Sequence, residues 1–439
     1  MSDLDVWMNG ELVGRWSENR GAHTLTYDAD WVTSPRGRAL SLSLPITTTL
    51  SVHGEAVRNY FDNLLPDSPA IRERVQRRYR TRSTDVFELL TVIGRDCVGA
   101  VQLLSPGTAP EDVFRIDSEP LSDEQVEEIL RDVTAEGPIV GEGDPDDFRI
   151  SIAGAQEKTA LLKVDDQWHR PRGATPTTHI LKLPLGIIGG MRLDMTHSIE
   201  NEWLCLRLLG LLGLPVAKAS IGVFGSQKAL VVERFDRALV TDPHWIARLP
   251  QEDFCQATGH SPDHKYEEQG GPGIARSLQL LAGSRNAAGD QATFLLTQLA
   301  FWMLAATDGH AKNFSIFHES GGTYSMTPLY DVLSMWPIVG IGANLRHPTR
   351  VKMAMAVRSK NPHYRMVDIQ PRHWVGLAQK SGLPRLLGEM RLLAEGVETA
   401  LDAAKQTLPA GFPVHVWDAI AAGLTAQSRL VLTELMKHP

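Results

Sequence analysis

Asp308, Gly309, His310, Lys312 and Asn313 stand on one short stretch, ATDGHAKNF, directly after the apolar run from Phe294 to Ala305. That run reads as a buried helix, and a helix end usually dissolves into ordinary turn residues. Four polar side chains and a glycine on a loop anchored to the core point to a site instead. Asp308 and Asn313 stand in a D-x-x-x-x-N pattern. Phosphoryl-transfer loops use this spacing to place a carboxylate that takes a hydroxyl proton and an amide that holds Mg²⁺. Such a pair also arises readily by chance, so the reading depends on what else the chain brings to it.

Phe314 to His318, Glu319 to Gly322 and Thr323 to Thr327 read as strand, turn and strand. At roughly 3.3 Å per residue out and back, such a hairpin returns the chain to Asn313 and delivers Asp331 there. A carboxylate beside an amide suits Mg²⁺ between nucleotide phosphates: hard oxygen ligands, few of them, the rest from phosphate and water. Lys182, inside an apolar strand, is the candidate to lie over the phosphates, with an edge lysine facing water as the competing reading. Ser151 to Lys158, SIAGAQEK, is rich in small residues, so its backbone N–H groups could approach phosphates closely, although it matches neither GxGxxG nor a P-loop. Glu233 and Phe235, in VERF, close a strand where the composition turns from strands to helices. In an extended segment the Glu233 carbonyl and the Phe235 N–H point the same way, toward an adenine edge, and a plain strand end explains the stretch equally well. Glu202 is a candidate partner for Lys182, although the helix dipole also accounts for an acid in a first turn.

The elements that must position these groups follow from pattern. Asp5 to Met8 and Glu11 to Trp16 flank Asn9-Gly10, a type I′ hairpin signal. His23 to Tyr27 and Leu40 to Leu44 alternate as strands. Helices are expected at Glu55 to Leu64, Ser68 to Tyr79 and Val86 to Val92, then a strand at Gly99 to Leu104. A connecting helix spans 119 to 135. Strands at Arg149 to Ile152, Thr159 to Lys163, His179 to Leu183 and Ala229 to Glu233 follow, interrupted by one helix with Ser198 as N-cap and a stop at Gly213. Long helices with few strands dominate after about residue 237. The expected domains are therefore an N-terminal α/β domain over 1–105, a connecting segment over 106–145, a mixed α/β lobe over 146–236 and a helical lobe over 237–439.

The 439 residues suffice for two or three cores. A hydrophobic share of 43% and a net charge of −8 exclude a disordered chain and argue against a nucleic-acid binder of uniform charge. Cys97, Cys205 and Cys255 are far apart and in no metal-binding pattern, which suits a reducing compartment. The acidic start and the absence of a run near 20 apolar residues argue for the cytoplasm and against a membrane. The arginine-rich stretch Arg72 to Arg82 reads as a solvated face paired with acids before it reads as a phosphate-binding surface. Gln269 to Arg276, QGGPGIAR, reads as a connecting loop opening a helix.

With these residues assembled, the chain resembles the HipA family of serine/threonine protein kinases, toxins of bacterial toxin-antitoxin pairs. The stretches NYFDNLLPDSP, DFRISIAGAQEKTALL, VERFDR, KYEEQGGPGIAR, ATDGHAKNFSIF and TPLYD carry the likeness over nearly the whole length. The resemblance implies an α+β, two-lobed protein-kinase-like fold with an additional N-terminal α/β domain, and ATP and Mg²⁺ as cofactors. It implies Asp308 as the catalytic residue and Asn313 and Asp331 as metal ligands. The implied nucleotide contacts are Ala153, Gly154, Ala155, Gln156, Glu157, Lys158, Lys182, Glu233, Arg234, Phe235, His310, Ala311, Lys312, Asn313, Tyr330 and Asp331. It also implies a regulatory phosphosite at Ser151, a helix-turn-helix (HipB-like) antitoxin, operator DNA bound through the antitoxin complex, and an aminoacyl-tRNA synthetase as protein substrate. A non-catalytic corepressor and a small-molecule phosphotransferase are the alternatives.

Overall fold

The computed structural model describes residues 2–134, 151–154 and 156–438. The chain divides into two compact units. The first comprises Met1–Leu183, Gly222–His264 and Ser315–Tyr324; the second comprises Pro184–Ile221, Lys265–Phe314 and Ser325–Pro439.

The first unit opens on an antiparallel sheet with strand order Ser51–His53, Ala22–Tyr27, Glu11–Asn19, Ser2–Met8, Val101–Leu104. Asn9 and Gly10 both take positive φ, 46° and 84°, as the hairpin signal requires. Its inner face carries Trp16, whose ring lies 3.9 Å from that of Phe61 on the helix Glu55–Asp62 and 4.6 Å from that of Phe87 on the helix Val86–Ile93. Leu40 to Leu44 does not form the expected strand. It is a turn in which the Ser41 and Ser43 hydroxyls both donate to the Gln256 carbonyl, so the alternation there serves hydrogen bonding rather than a pleat.

A six-stranded sheet follows in the order Ala219–Phe224, Gln227–Glu233, His179–Lys182, Lys158–Val164, Gln167–Pro171, Ser118–Pro120. The helix Asp123–Asp132, shorter than expected and closed by a Ser122/Gln125 capping box, packs Val126 and Leu130 against Leu161, Leu181 and Val231. Of the strand expected at Arg149 to Ile152, residues 149 and 150 lie outside the described residues, and Ser151 and Ile152 are irregular. The helical pattern expected after residue 237 is interrupted in this unit by a hairpin, Arg237–Thr241 with His244–Arg248, and by Gln251–Asp253 paired with Ser315–His318.

The second unit is built on the helix Ala287–Leu304, whose Phe294, Leu295, Leu299, Met303 and Leu304 are fully buried. The helices Ser198–Leu211, Leu386–Glu395, Val397–Lys405 and Val414–Leu435 belong to this unit, with the strand pairs Gly186–Ile188 with Leu193–Met195 and Lys352–Arg358 with Pro362–Arg365. The helix expected to start on Ser198 as N-cap is preceded instead by His197, because the Ser198 hydroxyl is engaged by the Leu185 N–H at 2.9 Å. Glu200 is the acid of its first turn, and Glu202, two residues further on, lies past that turn and is buried, so the dipole does not account for Glu202. Among the described residues no helix is long and apolar enough to cross a membrane.

Candidate active site

In the second unit the loop after the helix Ala287–Leu304 is held from below by aromatic side chains. Ala305 takes a left-handed φ of 49° and the Ala306 N–H returns to the Phe301 carbonyl at 2.8 Å, which ends the helix abruptly. Gly309 lies over the Phe301 ring so closely that a Cβ there would come within 2.5 Å of it. Phe314, 1% exposed, packs its ring on Phe294 and Phe301 and closes the far end of the loop. Between these staples His310, Ala311, Lys312 and Asn313 are buried, whereas the Asp308 side chain is 61% exposed. The carboxylate is therefore open to an incoming hydroxyl while its neighbours are fixed.

Asn313 is the centre of the arrangement. Its Nδ2 donates to the Asp308 carbonyl at 2.8 Å and to the Asp331 carbonyl at 3.4 Å, leaving Oδ1 as the acceptor atom for a metal. Asp331 has φ 58°, a left-handed conformation that aspartate tolerates better than most residues. The segment around it is tied on both sides. The Leu329 N–H donates to the Pro215 carbonyl and the Ala217 N–H to the Leu329 carbonyl, each at 2.8 Å. Asn201, on the helix Ser198–Leu211, exchanges two 2.8 Å bonds with the backbone of Ser334, and the Met335 N–H reaches the Ala305 carbonyl at 3.0 Å. The Tyr330 hydroxyl donates to the Lys312 carbonyl at 2.8 Å.

Tyr266 joins this group although its spacing gives no sign of it. Its hydroxyl donates to Asp308 Oδ1 at 2.5 Å, and its ring stands edge-on to that of His310 with centroids 5.0 Å apart. The backbone under it is fixed, because the Lys265 carbonyl accepts from the Ala311 N–H at 3.2 Å and the Glu267 carboxylate accepts from the Ala356 N–H at 2.7 Å. The KYEEQGGPGIAR stretch thus contributes a side chain to the Asp308–Asn313 loop, while Gly273 begins the helix Ile274–Leu281 as expected.

The first unit holds the remaining candidates. Lys182 is 6% exposed, flanked in the sheet by Lys158 on one side and Leu230 on the other, so it is an interior lysine and not an edge lysine facing water. Gly154 has φ 111°, a conformation that L side chains rarely adopt, which explains a glycine at that point. Gln156 Nε2 donates to the Leu183 carbonyl at 2.6 Å, and Glu157 pairs with Arg74 at 2.7 Å. Ala155 lies outside the described residues, and Ala153 is part-exposed. Ser151 is fully buried and donates to the Leu64 carbonyl at 2.7 Å. Glu233 pairs with His179 in the sheet, but the extended backbone ends there: residues Arg234 to Arg237 form a turn closed by a 3.3 Å N–H to carbonyl bond. The Arg234 guanidinium is 1% exposed and bound to Asp236 at 2.8 Å, so that residue offers a nucleotide only its backbone. In the arginine-rich stretch, Arg72 pairs with Asp62, Arg74 with Glu157 and Arg82 with Glu88, in keeping with a face paired to acids.

Among the described residues no cluster of three or more His, Cys, Asp or Glu could hold a metal by itself. A pair such as Asn313 and Asp331 fits Mg²⁺ that takes its other ligands from phosphate and water, and does not fit a dedicated metal cage.

The strand-built and helical parts with an added N-terminal α/β domain define a protein-kinase-like fold. Residues 4–104 match the HipA N-terminal domain and residues 150–408 the HipA-like C-terminal domain. The chain is 34% identical to "Putative kinase Y4mE" of Sinorhizobium fredii over 75% of its length and 77% of that protein. It is 28% identical to the serine/threonine-protein kinase toxin HipA of Shewanella oneidensis over 76% of its length and 75% of that one. The Shewanella HipA solved with HipB and its operator DNA superposes with a TM-score of 0.79 at 24% identity, covering 99% of this chain and 98% of that one. The chain belongs to the HipA family.

Proposed function

We propose that this protein is an ATP- and Mg²⁺-dependent serine/threonine protein kinase that arrests growth as the toxin of a toxin-antitoxin pair. The observation that supports the reading is the Asn313 side chain bridging the Asp308 and Asp331 carbonyls at 2.8 and 3.4 Å, which ties together the three residues read as base and metal ligands. The names of the kinase relatives support it.

On this reading Asp308 takes the proton of the target hydroxyl as the hydroxyl oxygen bonds to the γ-phosphorus and the bond to ADP breaks. Asn313 Oδ1 and the Asp331 carboxylate would hold Mg²⁺, which would supply positive charge beside the phosphate oxygens. Lys182 holds phosphate oxygens, the backbone from Ala153 to Lys158 covers them, and the Glu233 to Phe235 backbone meets the adenine edge. His310, Ala311, Lys312 and Tyr330 line the nucleotide side of the loop.

Ser151 is the regulatory phosphosite on the same reading. A phosphoserine adds about −1.5 to −2 charge and cannot fit where the hydroxyl is fully buried, so modification requires the 151–158 segment to leave Leu64. ATP affinity then falls because the phosphate cover is withdrawn. The partner is a HipB-like helix-turn-helix antitoxin, with operator DNA bound by the complex, as in the solved Shewanella assembly. The target is an aminoacyl-tRNA synthetase or another translation factor, met in the cytoplasm.

Phosphoproteomics after parallel induction of wild type and Asp308→Ala tests the proposal. New phosphosites and growth arrest are expected with wild type alone. Equal arrest by both proteins, with no new phosphosite, would favour the non-catalytic corepressor.

A further inference from the structure

Five charged side chains of the first unit meet in a buried cluster that phosphoryl transfer does not require. Asp96 Oδ1 accepts from Arg237 at 2.9 Å and from Arg248 at 3.2 Å. Its Oδ2 accepts from the Thr177 hydroxyl at 2.7 Å and the Thr177 N–H at 3.1 Å, and lies 3.4 Å from Arg234. Asp236 binds Arg234 at 2.8 Å and accepts from the Gly99 N–H at 2.7 Å. Arg234 and Arg237 also donate to the Cys97 carbonyl, at 2.8 and 3.1 Å.

Burial opposes charge on Asp96, yet Arg237, Arg234 and Arg248 outweigh it and hold the carboxyl well below the usual carboxylate range. Ion clusters withdrawn from water are poor stabilisers, and apolar side chains of similar volume often serve stability as well or better. What this one does supply is geometry. Arg234 and Arg237 are the two ends of the turn that follows Glu233, and Asp96 binds both. The Asp96 carbonyl also accepts the Ser151 N–H at 3.1 Å, at the start of the other nucleotide segment. The Asp67 N–H donates to the Gly154 carbonyl at 3.0 Å within that segment.

We propose that Asp96 is a positioning residue for nucleotide binding, fixing the Arg234–Arg237 turn through its carboxylate and the Ser151–Lys158 segment through its carbonyl. The N-terminal α/β domain is then a working part of the ATP site. The inference rests on the reading of Glu233 to Phe235 and Ala153 to Lys158 as nucleotide contacts.

Calorimetric titration of the full-length protein with Mg·ATP, with thermal melts alongside, tests it. Asp96→Asn is expected to raise Kd at least tenfold, but it leaves three guanidinium groups against one carboxylate and can destabilise the domain. The double variant Asp96→Asn/Arg248→Gln removes the arginine that meets Asp96 and not Asp236, which restores the charge balance without restoring the hold on the turn. It should recover the melting temperature and keep the weak Kd. Thr177→Val keeps every charge and should weaken binding two- to fivefold. A folded Asp96→Asn protein with wild-type Kd, a double variant that regains stability and affinity together, or Thr177→Val binding as wild type would each overturn the inference. Wild type that fails to bind Mg·ATP would overturn the nucleotide reading itself and this inference with it.

Discussion

The Tyr266 hydroxyl donates to Asp308 Oδ1 at 2.5 Å across 42 positions of sequence. A donor on one carboxylate oxygen fixes the plane of the group, and in the proposed reading the other oxygen meets the target hydroxyl. Tyr266→Phe keeps the ring against His310 and removes the hydroxyl that makes this exposed bond. Turnover is expected to fall roughly tenfold or more with the Kd for Mg·ATP and the melting temperature unchanged. Steady-state kinetics beside nucleotide titration would expose a purely structural role, because both would then move.

Asn201 acts at one remove from the Asn313 and Asp331 pair. Asn201→Ala strips the Ser334 N–H and carbonyl of their 2.8 Å partners in a buried place, at a cost of about 2 to 6 kcal/mol, since each orphaned polar group costs about 1 to 3. The half-saturating Mg²⁺ concentration should rise, because the Asp331 segment loses one of its ties. Activity measured across a Mg²⁺ series, with denaturant melts for stability, checks both.

Gly309 has no room to gain an atom. In Gly309→Ala the new Cβ would stand 2.5 Å from the Phe301 ring, and overpacking of this kind costs about 1 to 3 kcal/mol. A melting temperature lower by several degrees is expected together with loss of turnover, because the ring or the loop must shift. Phe301→Leu in the same chain should return part of the activity.

His179 gives the first unit a pH dependence. Burial pushes its imidazole down to about 4 from about 6.5, against the opposing pull of Glu233. Between those values the unfolded chain takes up a proton that the folded chain refuses. Stability from this residue is therefore complete above about pH 6.5 and is lost as pH falls toward about 4. Thermal melts over that window should fall less steeply in His179→Gln than in wild type.

Much of the catalytic loop was legible because its signal is local. A buried helix that stops on a polar loop, followed by a strand-turn-strand return to Asp331, needs only periodicity and spacing to be seen, and Asn9-Gly10 announced its hairpin for the same reason. Tyr266, Asn201 and Asp96 were not legible. Each acts through a side chain bonded to a residue far along the chain, which leaves no periodic trace. Leu40 to Leu44 misled because serines that serve distant carbonyl groups alternate with leucine just as strand residues do. The turn after Glu233 was hidden because its closure depends on arginine partners 140 or so positions away in the N-terminal domain.

Asp331 meets Asn313 through its carbonyl, and in the proposed reading its carboxylate is what binds the ion. The separation between the two ligand-bearing residues is consequently measured out in main chain, and trimming the Asp331 side chain does not erase it. A variant that lacks the acid but keeps the left-handed bend, such as Asp331→Asn, would be an enzyme with its ruler intact and one mark missing.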